Sequence, residues 1–337
     1  MTVDLHAHVI VPEILRDAEP AEDWRPRVYR SEGEQVVELG GREIRSAVRE
    51  FVDVERIVEE QERAGIERTL LCPWVPLLFG EAEPEEGLRR CRIQNEALAG
   101  LVRAGAGRIA ALGAVPLQDP QLAAAELERV MAAGDLGGVE VAASVSGTSL
   151  GGDRFAPFWD AADATGALVF IHPTIRGFTS GAFADHYLWN TVGNPLETTV
   201  TAAQMVMTGL LERHRDLRVV LAHGGGAILA LRGRLRHAHT FQPQARARLE
   251  ASPESSLRRF HYDTVTHDPR LLADLIAFAG PDRVVLGTDH PFDMGDYGAV
   301  AQVRGLGLAP EAEAAVLSQN AEQLLGLGRA RKEQTVP

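Results

Sequence analysis

The sequence predicts an α/β fold of the (β/α)8 TIM barrel class in a single domain. Eight short apolar segments, rich in β-branched residues, alternate with amphipathic segments of helical periodicity. Four of the apolar segments end at a histidine or an aspartate, which is typical of barrel strands that share one active site. The chain has 337 residues, 45% of them hydrophobic, and can therefore bury the core of one such barrel.

The predicted elements follow one another in strict alternation. The strands are expected at residues 3–8, 68–72, 109–115, 138–141, 168–172, 218–223, 260–264 and 284–289. The helices are expected at residues 53–64, 92–104, 120–133, 154–165, 195–213, 227–237 and 269–278. Proline at positions 120 and 269 follows an aspartate, as is common at the first turn of a helix. Glycine at positions 65, 134 and 166 stands where three of the helices should end.

Two segments go beyond a minimal barrel. Residues 10–48 are too long and too polar for a simple loop, and they predict a small insertion after the first strand, with a hairpin near residues 36–41. Residues 297–305 and 310–325 predict extra C-terminal helices on the outside of the barrel. We expect one domain over residues 1–328 and a disordered tail over residues 329–337.

Composition narrows the class of partner. A formal charge of −13 argues against nucleic acid or an anionic membrane as the main partner, although local arginines can still bind an anionic small substrate. The two cysteines, Cys72 and Cys91, give no disulfide framework and favour a reducing compartment. The sequence shows no leader pattern and no apolar run of membrane-spanning length. We therefore expect a cytoplasmic protein without a membrane partner.

The first candidate site residues are His6 and His8, which stand two apart in the first predicted strand. Side chains at this spacing leave a strand on the same face, so both imidazoles point the same way. Two surface histidines in a frayed terminus are the alternative for a lone pair of this kind. That alternative is less favoured here, because His172 and Asp289 follow two other apolar strands.

His6, His8, His172 and Asp289 together offer three nitrogens and one oxygen to a metal. This donor set suits one divalent ion, Zn²⁺ first, with water in an open coordination position. Water on such an ion has a lowered pKa and can serve as a nucleophile or an acid. Taken singly, His172 could be a barrel-rim histidine and Asp289 could cap the next turn; only the joint pattern predicts a metal site.

His223 is the candidate acid–base residue, and Asp289 is a second candidate for proton transfer. His223 ends the sixth strand and precedes three glycines, which leave its surroundings open. Histidine titrates near neutral pH and can therefore take a proton from water or return one to carbon. A fifth metal ligand or a structural histidine are the alternatives. The glycines are not followed by Lys-Ser/Thr, so a P-loop is not expected.

Four motifs together resemble the metal-dependent amidohydrolase superfamily: Asp4-x-His6-x-His8, His172-Pro173, His223-Gly-Gly-Gly and Thr288-Asp289-His290-Pro291. Within it, the chain is similar to the branch of 2-amino-3-carboxymuconate-6-semialdehyde decarboxylase and related aromatic-acid decarboxylases. Residues 115–119 and 193–198 add to the resemblance, which runs from the first strand to position 320. It implies a TIM barrel that carries out metal-dependent, non-oxidative decarboxylation of a carboxylated aromatic or muconate-semialdehyde-type molecule.

The resemblance also implies a single metal ion. The fourth strand, near residues 138–141, has no lysine that could be carbamylated to bridge two metals. Other members of the branch carry glutamate at the position of His6 and tend to use Mn²⁺. The histidine at that position favours Zn²⁺ here, with Mn²⁺ as the alternative.

Substrate contacts are implied by the same resemblance. Arg45 matches an arginine that binds a substrate carboxylate, and Arg234 matches one contributed across a dimer interface, so a homodimer is expected. Arginine binds carboxylates through two parallel hydrogen bonds. Trp189 and Phe292 are candidates for an aromatic pocket. A surface position for either arginine, and plain packing for either aromatic residue, are the alternatives.

The chemistry of the reaction stays open at this level. For decarboxylation, either water adds first to the conjugated substrate, or His223 or Asp289 first protonates the carbon that bears the carboxylate. The main alternative is a hydrolase of a lactone, ester or amide, since the same fold and metal site serve both reactions. Hydration of a conjugated diacid and a non-enzymatic binding module are further alternatives.

Overall fold

The computed structural model describes residues 1–15, 23–47, 50–174 and 181–326, without the side chains of residues 45–47. The strands are β1 Val3–Val9, β2 Arg27–Ser31, β3 Glu34–Leu39, β4 Arg42–Ala47, β5 Arg68–Pro73, β6 Ile109–Ala111, β7 Gly138–Ala142, β8 Ser144–Val145, β9 Thr148–Ser149, β10 Leu168–His172, β11 Arg218–Leu221, β12 His261–Asp263 and β13 Val284–Val285. The α-helices are α1 Val54–Arg63, α2 Pro84–Ala104, α3 Pro120–Ala133, α4 Ala156–Thr165, α5 Asn194–Met207, α6 Leu210–Arg213, α7 Ile228–Phe241, α8 Pro253–Leu257, α9 Pro269–Ala279, α10 Ala299–Gly305, α11 Pro310–Ala314 and α12 Asn320–Leu324. None of these helices is long and apolar enough to span a membrane.

Eight parallel strands form the centre of the molecule. Strands β1, β5 and β6 make one sheet, and β7, β10, β11, β12 and β13 make another. A bridge between Gly113 and Val139 joins the two sheets at one edge, and a bridge between Ala7 and His290 joins them at the other. The strands therefore follow one another around a ring in chain order, which confirms the predicted barrel class.

The barrel strands are buried on both faces, as expected for a parallel sheet covered by helices. Every residue of β1, β7 and β10 is buried. Inside the barrel, Phe170 packs edge-on against His6, with 4.7 Å between the ring centroids. Because Phe170 comes before His172 on its strand, apolar packing lies beneath the polar residues at the carboxyl end.

Several helix boundaries follow the predicted signals. Asp119 and Asp268 each accept two backbone N–H groups at the start of α3 and α9, and a proline comes next in both helices. One boundary differs: the predicted helix 195–213 is divided at Gly209, which adopts a φ of +69°. A side chain there would overlap the carbonyl oxygen of Arg248, so the chain turns at a residue that has none.

Other differences concern the length of elements. Helix α2 begins at Pro84, eight residues before the predicted start, with two glutamates in its first turn. The predicted strand 109–115 is regular only over β6, and 284–289 only over β13. After β13 the chain leaves the sheet near Asp289, whose φ of +57° is not that of a strand.

The predicted insertion contains a three-stranded antiparallel sheet, β2–β3–β4, that includes the expected hairpin. Its buried Val37 attaches it to the apolar packing around β1 and β5. The C-terminal helices α10–α12 are also present as expected, and Ala321 of α12 packs with Val3 and Leu5. The predicted tail, residues 329–337, lies outside the described residues.

Candidate metal centre and active site

Four side chains from three regions of the barrel converge at its carboxyl end. His6 and His8 extend from β1, His172 ends β10, and Asp289 follows β13. The Nε2 atoms of His6 and His8 are 3.1 Å apart, and they lie 3.1 and 3.3 Å from Asp289 Oδ1. His172 Nε2 lies 3.9 Å from the same oxygen. All four side chains are buried, which is unusual for such groups without a shared partner.

The hydrogen bonds of Nδ1 in His8 and His172 show which ring nitrogen is free to bind a metal. His8 Nδ1 donates to the carbonyl oxygen of Pro73 (2.9 Å), and His172 Nδ1 donates to that of Pro173 (2.8 Å). A carbonyl oxygen only accepts, so the proton of each neutral ring sits on Nδ1 and the Nε2 lone pair faces the cluster. Hydrogen bonds of this kind orient metal-binding histidines.

These atoms fit a divalent cation. Within the described part of the chain, His172 Nε2 and Asp289 Oδ1 are buried and have no hydrogen-bond partner. Several lone pairs that meet in this way repel one another unless a cation lies between them. Three imidazole nitrogens and one carboxylate oxygen are a set that zinc and related metals accept.

The electrostatics of the cluster also favour a cation. Burial lowers the pKa of His6, but the charges of Asp289 and Asp263 outweigh burial and raise it to about 10. Burial lowers the pKa of His8, and it lowers that of His172 to about 3, so both rings stay neutral. Burial raises the pKa of Asp289, but the charge of His6 and the hydrogen bond from His223 hold it well below its usual range. Neutral His8 and His172 and an ionised Asp289 are in the forms that bind metal, and a metal ion would displace the proton that the two aspartates hold on His6.

His223 approaches the other oxygen of Asp289. Its Nε2 lies 3.3 Å from Asp289 Oδ2, whereas Oδ1 faces the histidine cluster. His223 is less deeply buried than the other three histidines, with 17% of its side chain exposed. Candidate ligand atoms of His6, His172, His223 and Asp289 all lie within 4.8 Å of one another. The geometry therefore allows His223 to act either as a proton donor beside Asp289 or as a further ligand.

A cavity of about 550 Å³ opens above these residues. His172, His223 and Asp289 contribute to its base, and both predicted aromatic residues, Trp189 and Phe292, line it. The Phe292 ring lies edge-on to His8, with 5.0 Å between the centroids. The wall is completed by residues that include Glu43, Ile44, Trp74, Tyr187, Asn190, Val265, His267 and Met294.

The two predicted arginines are placed differently. Arg45 belongs to β4, whose residues Glu43 and Ile44 line the cavity, but its side chain lies outside the described part of the structure. Arg234 is exposed on α7 and is not among the residues that line the cavity. Within one subunit, Arg234 is thus separate from the site.

Sequence reasoning assigned no role to a set of buried acids behind the cluster. Asp263 ends β12 and lies 2.6 Å from His6 Nδ1. Asp4 accepts hydrogen bonds from Gln61 and Thr288, which fixes β1 beside the turn that carries Asp289. Asp263 carried a weaker form of the signal at His172 and Asp289: an ionisable residue near the end of a predicted strand, although β12 itself contains His261 and is not apolar.

A further buried acid, Glu140 on β7, lies near the cluster. Its carboxylate lies 3.7 Å from His8 Nδ1 and has no hydrogen-bond partner among the described residues. Burial raises the pKa of Glu140 well above its ordinary value. Glu140 thus lies on the fourth barrel strand, which has no lysine that could bridge two metals.

Comparison with known proteins agrees with the site. Residues 3–327 match the family model described as amidohydrolase. The chain belongs to the amidohydrolase family. It is 27% identical to 2-amino-3-carboxymuconate-6-semialdehyde decarboxylase of Dictyostelium discoideum, over 88% of this chain and 83% of that protein. It is 26% identical to gamma-resorcylate decarboxylase of Rhodococcus jostii, over 86% of this chain and 88% of that protein.

Solved structures give the same result. The crystal structure of 5-carboxyvanillate decarboxylase from Sphingomonas paucimobilis has a TM-score of 0.75 and 29% identity, and covers 82% of this chain and 84% of that one. A dihydroxybenzoic acid decarboxylase from Polaromonas, with bound manganese and 2-nitroresorcinol, shares the fold at a TM-score of 0.78 and 23% identity, over 98% of each chain. The predicted family, barrel fold and carboxy-lyase class are confirmed.

Proposed function

We propose that this protein is a metal-dependent, non-oxidative decarboxylase of a small carboxylated aromatic or muconate-semialdehyde-type molecule. The observation that carries the proposal is the convergence of three histidine Nε2 atoms and Asp289 beneath a cavity with aromatic walls. Relatives that act on carboxylated aromatic molecules support the substrate class.

His6, His8, His172 and Asp289 would hold one divalent ion, for which we propose Zn²⁺ first and Mn²⁺ as the alternative. When bound, the ion would act as a Lewis acid that polarises substrate oxygens near the departing carboxylate. Three nitrogen donors favour zinc. The manganese found in the Polaromonas protein supports the alternative.

His223 and Asp289 would handle the proton. Decarboxylation breaks a carbon–carbon bond and leaves its electron pair on the substrate, where a proton must replace the lost CO₂. His223 Nε2 reaches the base of the cavity and lies 3.3 Å from Asp289 Oδ2, so these two groups can hold that proton between them. The order of protonation and CO₂ loss stays open.

The walls of the cavity would select the substrate. Trp189 and Phe292 offer apolar faces and edges to a planar molecule. We further propose that Arg45 binds a substrate carboxylate and that Arg234 does so from the partner subunit of a homodimer. A cytoplasmic location is part of the proposal, supported by Cys72 and Cys91, which are both buried free thiols.

A product assay tests the reaction class. Purified protein would be incubated with a panel of carboxylated catechols, resorcylates and muconate semialdehydes, while CO₂ is measured by a coupled bicarbonate assay. We expect stoichiometric CO₂ with one member of the panel. A parallel panel of lactones, esters and amides, and a conjugated diacid, completes the test. Release of an acid without CO₂, or addition of water to the diacid, would contradict the proposal.

Metal analysis tests the cofactor. We expect about one equivalent of divalent metal per chain in the active protein, with loss of activity after chelation. Restoration by Zn²⁺ or by Mn²⁺, measured side by side, decides between the two ions. Full activity of a protein shown by elemental analysis to be metal-free would contradict the metal site.

A further inference from the structure

We infer that Asp263 is a positioning residue that couples the metal ligand His6 to the turn that carries His223. The inference rests on the proposed function, because it assigns His6 and His223 the roles given above. It adds a residue to the site that lines no part of the cavity and lies behind the groups that do.

The Asp263 carboxylate is fully buried and shared between the two histidines. Its Oδ2 lies 2.6 Å from His6 Nδ1 and accepts the backbone N–H of His223 at 2.9 Å. Its Oδ1 accepts the backbone N–H groups of Gly224 at 2.8 Å and Val265 at 3.1 Å. Both oxygens are therefore used as acceptors, which only a carboxylate can provide.

Gly287 makes the contact between Asp263 and His6 possible. Strands β12, β13 and β1 are neighbours, and Gly287 lies just after β13, between the other two. A Cβ atom at position 287 would lie 2.9 Å from the His6 Cβ and 3.0 Å from the Asp263 Cβ. The hydrogen bond thus crosses the intervening strand over a residue that has no side chain.

For His6, the consequence is a fixed ring. A carboxylate accepts the proton of Nδ1, so Nε2, the nitrogen that faces His8 and Asp289, is the one left to bind a metal. A carboxylate behind a metal-binding histidine fixes its tautomer and raises its basicity as a ligand.

For His223, the consequence is a fixed backbone. His223 has a φ of +55°, which is unfavourable for a residue with a Cβ atom, and Gly224 follows at +60°. Successive N–H groups in such a turn form a concave donor site for an anion. The Asp263 carboxylate fills this donor site, and the His223 ring then reaches Asp289 Oδ2.

Asp263→Asn is the direct test, because it keeps the shape and removes one acceptor. With its NH₂ group in the Oδ2 position, it loses the hydrogen bonds with His6 and the His223 N–H. With its NH₂ group in the Oδ1 position, it loses those with Gly224 and Val265, and a neutral amide oxygen, a weaker acceptor than a carboxylate, faces His6. We expect Zn²⁺ affinity, measured by competition with a chromophoric chelator, to fall about 10–100-fold. At saturating Zn²⁺, we expect kcat to stay at least about 10-fold below that of the wild type. KM should remain within about twofold of the wild-type value, because the cavity walls are unchanged.

Two further variants make the test decisive. Gly287→Ala keeps the carboxylate but pushes it away from His6, and we expect it to weaken Zn²⁺ binding in the same assay. Asp268→Asn, at the N-cap of α9, is the control for the amide substitution, because asparagine caps helices as well as aspartate does. It should leave Zn²⁺ affinity and kcat unchanged.

The outcomes separate this inference from the proposed function. Wild-type Zn²⁺ affinity or wild-type kcat in folded Asp263→Asn, checked by circular dichroism, would overturn the coupling. If Asp263→Asn does not fold, wild-type affinity in Gly287→Ala would overturn it. Failure of the wild-type protein to bind metal or release CO₂ would instead overturn the proposed function.

Discussion

Asp289 divides its two oxygens between the histidine cluster and His223, and this division is why both proposed roles, metal binding and proton transfer, fall on one aspartate. Oδ1 lies within 3.3 Å of His6 and His8, and Oδ2 lies 3.3 Å from His223. A substitution at Asp289 would therefore disturb both proposed functions. Only His223 allows proton transfer to be tested apart from metal binding.

His223→Ala should separate the two functions. We expect metal affinity to stay within about threefold of wild type, whereas kcat falls by about 10²–10⁴, the usual contribution of a general acid or base. Metal titration and steady-state kinetics measure the two effects. His267→Ala, which alters another histidine of the cavity wall, is the control and should keep most of kcat. A loss of metal binding in His223→Ala would identify His223 as a ligand instead.

Glu197 gives a prediction about pH. Burial raises the pKa of this carboxyl to about 7, against the hydrogen bonds from Ser144 and Thr174, which favour the ionised form. The pKa of Glu197 is higher in the folded than in the unfolded state. Its contribution to the free energy of unfolding is therefore fully present below pH 4.5, where both states are protonated, and is lost as the pH rises through about 7. This loss amounts to up to about 3 kcal/mol of unfolding free energy.

Glu197→Gln should remove this pH dependence, because a neutral amide can accept from Thr174 N–H and donate to Ser144. Chemical unfolding of both proteins at pH 5, 6, 7 and 8 measures the difference. We expect the wild type to lose stability relative to the variant between pH 5 and 8. A constant difference across this range would show that Glu197 keeps an ordinary pKa.

At the scale of elements, the pairing of β7 with β10 depends on one glycine. Gly138 pairs with Leu168 and has a φ of +151°, a conformation that other residues rarely adopt. A Cβ atom at this position would overlap the backbone of Leu168. Strand β10 carries His172, so a displacement here would reach the metal cluster.

Gly138→Ala should therefore destabilise the protein far more than the same substitution at a glycine with open space around it. We expect it to lower the free energy of unfolding by about 3 kcal/mol or more, since strain and overlap add. Gly134→Ala is the control: Gly134 has a φ of +78° but no atom within 4 Å of its added Cβ, so about 1 kcal/mol is expected. Urea unfolding compares the two variants. Equal losses would mean that β7 moves to accommodate the methyl group.

The elements also show what the sequence could and could not predict. Period-two spacing on a strand was enough to pair His6 with His8, and strand ends located His172 and Asp289. Position 263 carried a weaker form of the strand-end signal, yet its partner His6 is 257 positions away, and nothing local in the sequence indicates that pairing. The break at Gly209 depends on Arg248, a contact that helical periodicity does not contain.

At the scale of the whole molecule, the metal should stabilise the barrel. Its proposed ligands come from β1, β10 and the segment after β13, so unfolding would release the ion. A ligand that binds only the folded state stabilises it by about 2.7 kcal/mol when its free concentration is 100 times its Kd. Chelation should thus lower Tm, and added Zn²⁺ or Mn²⁺ should raise it further with increasing concentration. Asp289→Ala is the control, and a Tm response to metal as large as in wild type would contradict the site.

Arg234 presents a last question that one subunit cannot answer. It is exposed on α7 and lines no part of the cavity, yet the proposed function gives it a substrate carboxylate. These statements agree only if α7 of one subunit lies at the cavity of its partner. Arg234 would then complete a site to which His223 belongs on the other chain.

Mixed dimers can test this arrangement. Arg234→Ala and His223→Ala proteins should each have little activity alone, and refolding them together in equal amounts should restore about a quarter of wild-type activity. Half of the dimers would be hybrids, and a two-fold interface gives each hybrid one site with both defects and one site with neither. A mixture of His223→Ala with His172→Ala is the control. Each of these residues serves the site of its own chain, so both sites of a hybrid carry one defect. No activity should return. No recovery in the first mixture, with hybrids confirmed by mass spectrometry, would show that Arg234 does not act at the partner's site, and near-wild-type activity of Arg234→Ala alone would place it outside the site.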